Sequence, residues 1–180
     1  PALYHKLSGL TAAKLCLRWI ILTCVRSDGC LGARFDEIEG DVWTVPADRV
    51  KGARGKAKDF RVPLCDEAMR IIETARKVDD TFLFPSYREK GNITEAALRK
   101  ELAAQNEAGR PHGFRTSFRT WAEETDQPWD LSETILGHQI KGRVERAYAR
   151  SDLLDRRRIV MDRWAAHVTA SSADVIALHR

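Results

Sequence analysis

From Thr11 the chain reads Ala-Ala-Lys-Leu-Cys-Leu-Arg-Trp-Ile-Ile-Leu-Thr-Cys-Val25, apolar on almost every face. This predicts a buried helix with Thr11 as its N-cap. The run is too short to cross a bilayer. It leads into Arg26-Ser-Asp-Gly29, where Asp-Gly predicts a break or turn. Residues 41–46 and 59–64 are short β-rich runs, with a glycine-bearing basic connector over 48–58 between them. That arrangement predicts a basic hairpin. Helical patterns then dominate: a helix from an Asp66 cap to about residue 78, a brief extended piece over 81–85, and a helix opened by Thr94. Further helices are expected at 115–125, 131–137, 143–149 and 152–168. The predicted class is α+β, mainly α, with a small antiparallel sheet near the N-terminal third.

Composition narrows the picture. The 180 residues carry 43% hydrophobic and 31% charged side chains, the balance of a folded domain rather than a disordered chain. There is no internal repeat, low-complexity tract or Pro/Gly/Ser linker, so one domain spanning 1–180 is expected. The first residues lack a signal-peptide apolar core, which predicts a cytoplasmic protein. Cys16, Cys24, Cys30 and Cys65 form no C-x-x-C pair, so reduced core thiols are expected rather than a disulfide framework or a zinc site. The net charge of +4 permits a polyanionic partner without requiring one.

Four features carry candidate chemistry. His112-Gly-Phe-Arg115 places an imidazole and a guanidinium three residues apart, on one side of a helical turn. Leu136-Gly-His138 puts a glycine where a tight turn can aim the imidazole. Tyr148 lies among arginines, but a phenol with a pKa of ~10 needs a base and a positive field to act as a nucleophile. Arg26 follows directly on the apolar helix. Each has an ordinary structural explanation when taken alone: a solvated pair, a capping histidine, a packed tyrosine, a snorkelling arginine.

Their ordered combination resembles the catalytic domain of the tyrosine recombinases, most of all the phage- and island-type integrases. Leu22-Thr-Cys-Val-Arg26 is similar to the family segment that delivers its first arginine. Phe35-Asp-Glu-Ile38 and Trp43-Thr-Val-Pro46 look like its first strands, and Arg61-Val-Pro-Leu64 like the strand closing its hairpin. The segments 114–122 and 157–164 resemble helices around its active site. The resemblance runs from about residue 8 to 168.

It implies metal-free and cofactor-free cleavage of one DNA strand, leaving a 3′-phosphotyrosyl bond and a free 5′-hydroxyl. Tyr148 would be the nucleophile. Arg26 and Arg115 would hold the non-bridging oxygens, His112 would take the phenolic proton or help hold the phosphate, and His138 would donate to a non-bridging oxygen. Lys51 would protonate the leaving 5′-oxygen, with Lys56 or Lys58 as alternatives on the same hairpin. Arg54, Lys56 and Lys58 would contact DNA phosphates. The implied partners are double-stranded attachment sites and other protomers of a recombination tetramer, with a monomer expected off DNA and no membrane association.

The chain departs from that family in two places. Relatives carry a glutamate three residues after the first arginine, where this chain has Gly29, with Asp28 one residue earlier. One residue turns a helical side chain by about 100°. The alternative reading is therefore a weakened or degenerate integrase that only binds DNA. The core-binding and arm-binding domains that precede the family's catalytic domain are also expected to be absent. The residues after Trp164, with Val175, Ile176 and Leu178, either dock on a neighbouring protomer or fray. A type IB topoisomerase is the nearest enzymatic rival, and the Leu-Gly-His motif argues against it.

Overall fold

A computed structural model describes residues 1–50, 58–88, 90–138 and 152–170. Helix α1 (Ala2–Lys6) leads to α2 (Ala12–Thr23), the central element of the core. Thr11 caps α2 by accepting a hydrogen bond from the Lys14 amide at 3.3 Å. Leu15, Cys16, Leu17, Trp19, Ile20, Ile21 and Leu22 are all buried, so α2 is covered nearly all round. Helices α4 (Asp66–Ala75), α5 (Glu95–Ala104), α6 (Gly113–Glu124) and α8 (Leu154–Thr169) pack against it. The Trp164 indole of α8 donates to the Ile21 carbonyl at 2.7 Å, fixing the last described helix to the first long one.

Helix α2 ends at Cys24, a left-handed residue with φ 57°. The expected break at Asp28-Gly29 is not there. Residues Ser27–Leu31 instead form a short helix, α3, with Arg26 at its N-cap. The turn thus comes two residues before Arg26 rather than two after it, and α3 starts in a new direction with Asp28 in its first turn, where its charge suits the helix dipole.

The sheet is three-stranded and antiparallel in the order β1 (Ile38–Glu39), β2 (Val42–Val45), β3 (Phe60–Pro63). Trp43 pairs with Ile38 on one side and Val62 on the other. Trp43 and Val45 point into the core while Val42 and Thr44 are only half-buried, the alternation of a strand with one covered face. Phe35–Glu37 forms a single 3₁₀ turn rather than part of a strand.

Three boundaries differ from the sequence reading. Asp66 is the first residue of α4, after Cys65 at the N-cap, and the helix stops at Ala75. Residues 81–85 make isolated bridges, Arg34 to Phe82 and Pro85 to Asn92, not a strand. Helix α7 covers Trp129–Ile135. The helix expected at 143–149 lies outside the described residues. All four cysteines are free and buried. Among the described residues no helix is long and apolar enough to cross a membrane, and none of their His, Cys, Asp or Glu side chains cluster in a set able to hold a metal ion.

Candidate active site

The site is built around a buried guanidinium. Arg115, on the first turns of α6, is 5% exposed. Its Nη1 donates to the Cys24 carbonyl and its Nη2 to the Leu136 carbonyl at 2.5 Å. Cys24 is the C-cap of α2 and Leu136 the C-cap of α7. One arginine therefore satisfies carbonyls at two helix C-termini, where the helix dipoles also favour a cation. Burial, followed by repulsion from Arg26, lowers the Arg115 pKa to about 10. The group stays charged at neutral pH.

The C-terminus of α7 explains the Leu-Gly-His motif. Gly137 adopts φ 63°. Its amide donates to the Thr134 carbonyl at 2.9 Å, and the His138 amide donates to the Glu133 carbonyl at 3.0 Å. This pair of bonds is a Schellman cap, which calls for a left-handed residue at the position Gly137 occupies. The reversal folds His138 back over its own helix. Its Nδ1 then lies 2.8 Å from Glu133 Oε2, and its Nε2 lies 3.4 Å from Arg115 Nη2. Glu133 beside Nδ1 and Arg115 beside Nε2 hold the ring in one orientation from both ends. Glu133 is buried, and its other oxygen pairs with Arg119 Nη1 at 3.2 Å.

Arg26 enters from the N-cap of α3 and is half-buried. It lines one cleft together with Arg49, Phe60, Arg115 and Gly137. The walls thus come from α3, the β2–β3 hairpin, α6 and the end of α7. Three arginines line the recess, and with Arg49 paired to Glu37, Arg26 and Arg115 remain, an imidazole standing against Arg115. Such a set suits a ligand with several anionic oxygens, since each guanidinium offers paired donors.

Of the residues singled out from the sequence, Arg26 and Arg115 line this cleft, and His138 stands against Arg115. His112 stands at the N-cap of α6, one turn from Arg115, and is exposed. Lys58 is exposed at the entry to β3. Lys51, Arg54, Lys56 and Tyr148 lie outside the described residues.

Two participants escaped sequence reasoning. Glu133 is five residues before His138, a spacing that matches no helical face. Only the glycine-dependent reversal brings the two together, and the Gly137 C-cap was the available signal. Arg49 is the other. Its Nη1 donates to the Gly29 carbonyl at 3.1 Å and its Nη2 pairs with Glu37 Oε1. The sequence offers no cue for it, because α3, the 3₁₀ turn and the strand end are brought together only by tertiary packing. Around Gly29 itself there is little room. A Cβ there would meet Val25 Cγ1 at 3.0 Å, with Arg49 O at 3.5 Å and Val45 Cγ1 at 3.6 Å.

No family model matches the chain. The prophage integrase IntA of Escherichia coli (strain K12) is 35% identical over 191 residues, covering 99% of this chain and 45% of that protein. The integrase of Enterobacteria phage P4 is 29% identical, covering 94% of this chain and 43% of its own length. The integrase of Shigella phage Sf6 is 30% identical over 137 residues, or 72% of this chain and 34% of its own. The chain thus spans less than half the length of these relatives. Among solved structures, the pre-cleavage complex of the XerH site-specific recombinase bound to difH substrate aligns with a TM-score of 0.49 and 19% identity, covering 76% of this chain and 44% of that one. The likeness to the prophage and phage integrases runs almost end to end along this sequence, and the chain belongs to the phage and prophage integrases.

Proposed function

We propose that residues 1–180 are a catalytic domain that cuts and rejoins double-stranded DNA at attachment sites in the cytoplasm, through a 3′-phosphotyrosine. The observation that carries this reading is that Arg26 and Arg115 line one cleft with His138 held against Arg115. These groups match the charge that builds up on the non-bridging oxygens of a phosphate under attack, and preorganised cations in a partly dry site are effective at stabilising it.

In this mechanism the Tyr148 oxygen attacks phosphorus as His112 accepts the phenolic proton. The new bond is tyrosyl O–P, and the bond broken is P–O5′. Lys51 gives its proton to the departing 5′-oxygen. Arg26 and Arg115 neutralise the non-bridging oxygens while His138, oriented by Glu133, donates to one of them. The ester bond persists in the phosphotyrosine, so rejoining needs no nucleotide. Reversal by the 5′-hydroxyl of another strand completes the exchange.

Arg54, Lys56 and Lys58 would hold the DNA backbone, with the active assembly a tetramer on DNA and the free protein a monomer. The tail after residue 168 would dock on a neighbouring protomer. Phosphate contacts of this kind make affinity fall steeply with salt. The reading is tested with nicked suicide DNA, from which the cut fragment diffuses away. A denaturant-resistant protein–DNA adduct formed by the wild type and lost in Tyr148→Phe is expected. DNA binding without any adduct, at several attachment sequences, would reduce the protein to a binding module.

A further inference from the structure

The buried Arg157 is unexplained by the cleft chemistry. It lies in the first turns of α8 and is 1% exposed. Its Nη2 donates to the Arg61 carbonyl on β3 at 2.7 Å and stands 3.5 Å from Asp152 Oδ2. The same Asp152 oxygen accepts from Arg61 Nη1 at 3.2 Å. The guanidinium carbon of Arg157 sits 5.2 Å from the centre of the Phe60 ring, and Phe60 lines the cleft beside Arg26 and Arg115. Among the described residues, Nε of Arg157 has no hydrogen-bond partner. Burial lowers the pKa of this arginine to about 10. A charge so incompletely paired is a poor way to stabilise a fold, since an apolar side chain of similar volume would fill the site without the desolvation penalty.

What the cluster does well is fix one point of the chain. Asp152 uses its other oxygen, Oδ1, to accept from the Leu154 amide at 3.3 Å, closing the start of α8 next to Leu153 at φ 54°. Asp152 is thereby pinned to β3, a strand of the hairpin that borders the cleft. It comes four residues after Tyr148. An extended chain gains at most ~3.6 Å per residue, so this tether holds the two Cα atoms within about 14 Å of each other. On the other side, His138 is ten residues away and constrains the tyrosine far less.

We infer that Arg61, Asp152 and Arg157 form a positioning device for the nucleophile: they anchor the short tether of Tyr148 to the hairpin wall of the cleft. None of the three touches the phosphate. Their effect is on how often the phenol reaches in-line geometry, a factor that an error of about 1 Å can change ~100-fold. The inference rests on the recombinase reading and adds the residues that aim its attacking group.

The test is the single-turnover rate of adduct formation by the full chain on suicide DNA at saturating concentration. It is run on an ordinary substrate and on one with sulfur replacing the bridging 5′-oxygen. A thiolate leaves without protonation, so the second substrate bypasses the acid. Asp152→Asn keeps the bond to Leu154 and removes the charge. It is expected to slow both reactions by about tenfold or more with unchanged DNA affinity. Arg61→Met, at an exposed position that does not threaten folding, is expected to act in the same direction, and Arg61→Lys to recover most of the rate. Rescue of Asp152→Asn by the sulfur substrate would overturn the inference, because the cluster would then be acting on the acid of the hairpin. Wild-type rates in Asp152→Asn and Arg61→Met would also overturn it, alone. A wild type that forms no adduct would overturn the recombinase reading and this inference with it.

Discussion

Arg115 Nη2 stands 3.4 Å from His138 Nε2 while the same nitrogen holds the Leu136 carbonyl two residues earlier in the chain. The guanidinium that closes α7 thus also fixes where the histidine after α7 is placed. Its structural role and the catalytic role proposed for it share one group, which sets the pattern for substitutions here.

Arg115→Lys is expected to fail as a conservative change. An ammonium cannot reach the Cys24 and Leu136 carbonyls together and still face the cleft. Arg115→Ala leaves both carbonyls without this donor, at a cost of about 1–3 kcal/mol each. Urea denaturation of both variants checks this, with the midpoint falling in both and adduct formation lost in both.

Glu133→Gln tests the orientation of His138. The amide keeps the volume but loses the charge that faces both His138 and Arg119. Adduct formation should slow by about 10- to 100-fold, at or below the low end of the ~10²–10⁴-fold effect of a positioned acid or base, because the imidazole itself remains. DNA affinity measured by anisotropy should be nearly unchanged.

Gly29 is where this chain lacks the family's acid, and the structure gives a physical reason that simple restoration fails. The Cβ position is 3.0 Å from Val25 Cγ1, on a buried β-branched side chain with few rotamers to spare. Gly29→Ala should therefore destabilise by about 1 kcal/mol, at the low end of overpacking costs. Adding Val25→Ala should remove the clash, so a double-mutant cycle by thermal melting should show a favourable coupling between the two. Gly29→Glu is expected to lower the melting temperature without raising cleavage, because Arg49 is already paired with Glu37.

His167 supplies a pH dependence. Its ring stacks on Trp164 with centroids 5.6 Å apart and leans on Trp121 at 5.9 Å. Burial is the main cause lowering its pKa from 6.5. The Pro1 amine pushes the same way and Glu124 the other. The unfolded chain then binds the proton more readily, so this contribution to stability is present at neutral pH and lost as the pH falls below about 6.5. Melting temperatures across pH 5–8 should show this component in the wild type and not in His167→Phe.

Much of the fold was legible because its cues are local. Thr11 caps α2 with the expected bond, and the apolar run behind it became the core. The alternation at Val42–Val45 gave a strand. Helix α3 was illegible because Asp-Gly signals a turn, while packing of Gly29 against Val25 and Arg49 supports a helical turn there. At the cleft, Arg26, Arg115 and His138 were visible as an ordered set of residue types. Glu133 and Arg49 were not, because their contacts depend on a left-handed glycine and on three elements meeting in space.

The most direct measurement is mass spectrometry of the trapped adduct. After nuclease and trypsin digestion, the account predicts a phosphonucleotide mass on the peptide of residues 147–150, linked through Tyr148. The same mass on any other peptide, or none where DNA is bound and cleaved, would contradict the account.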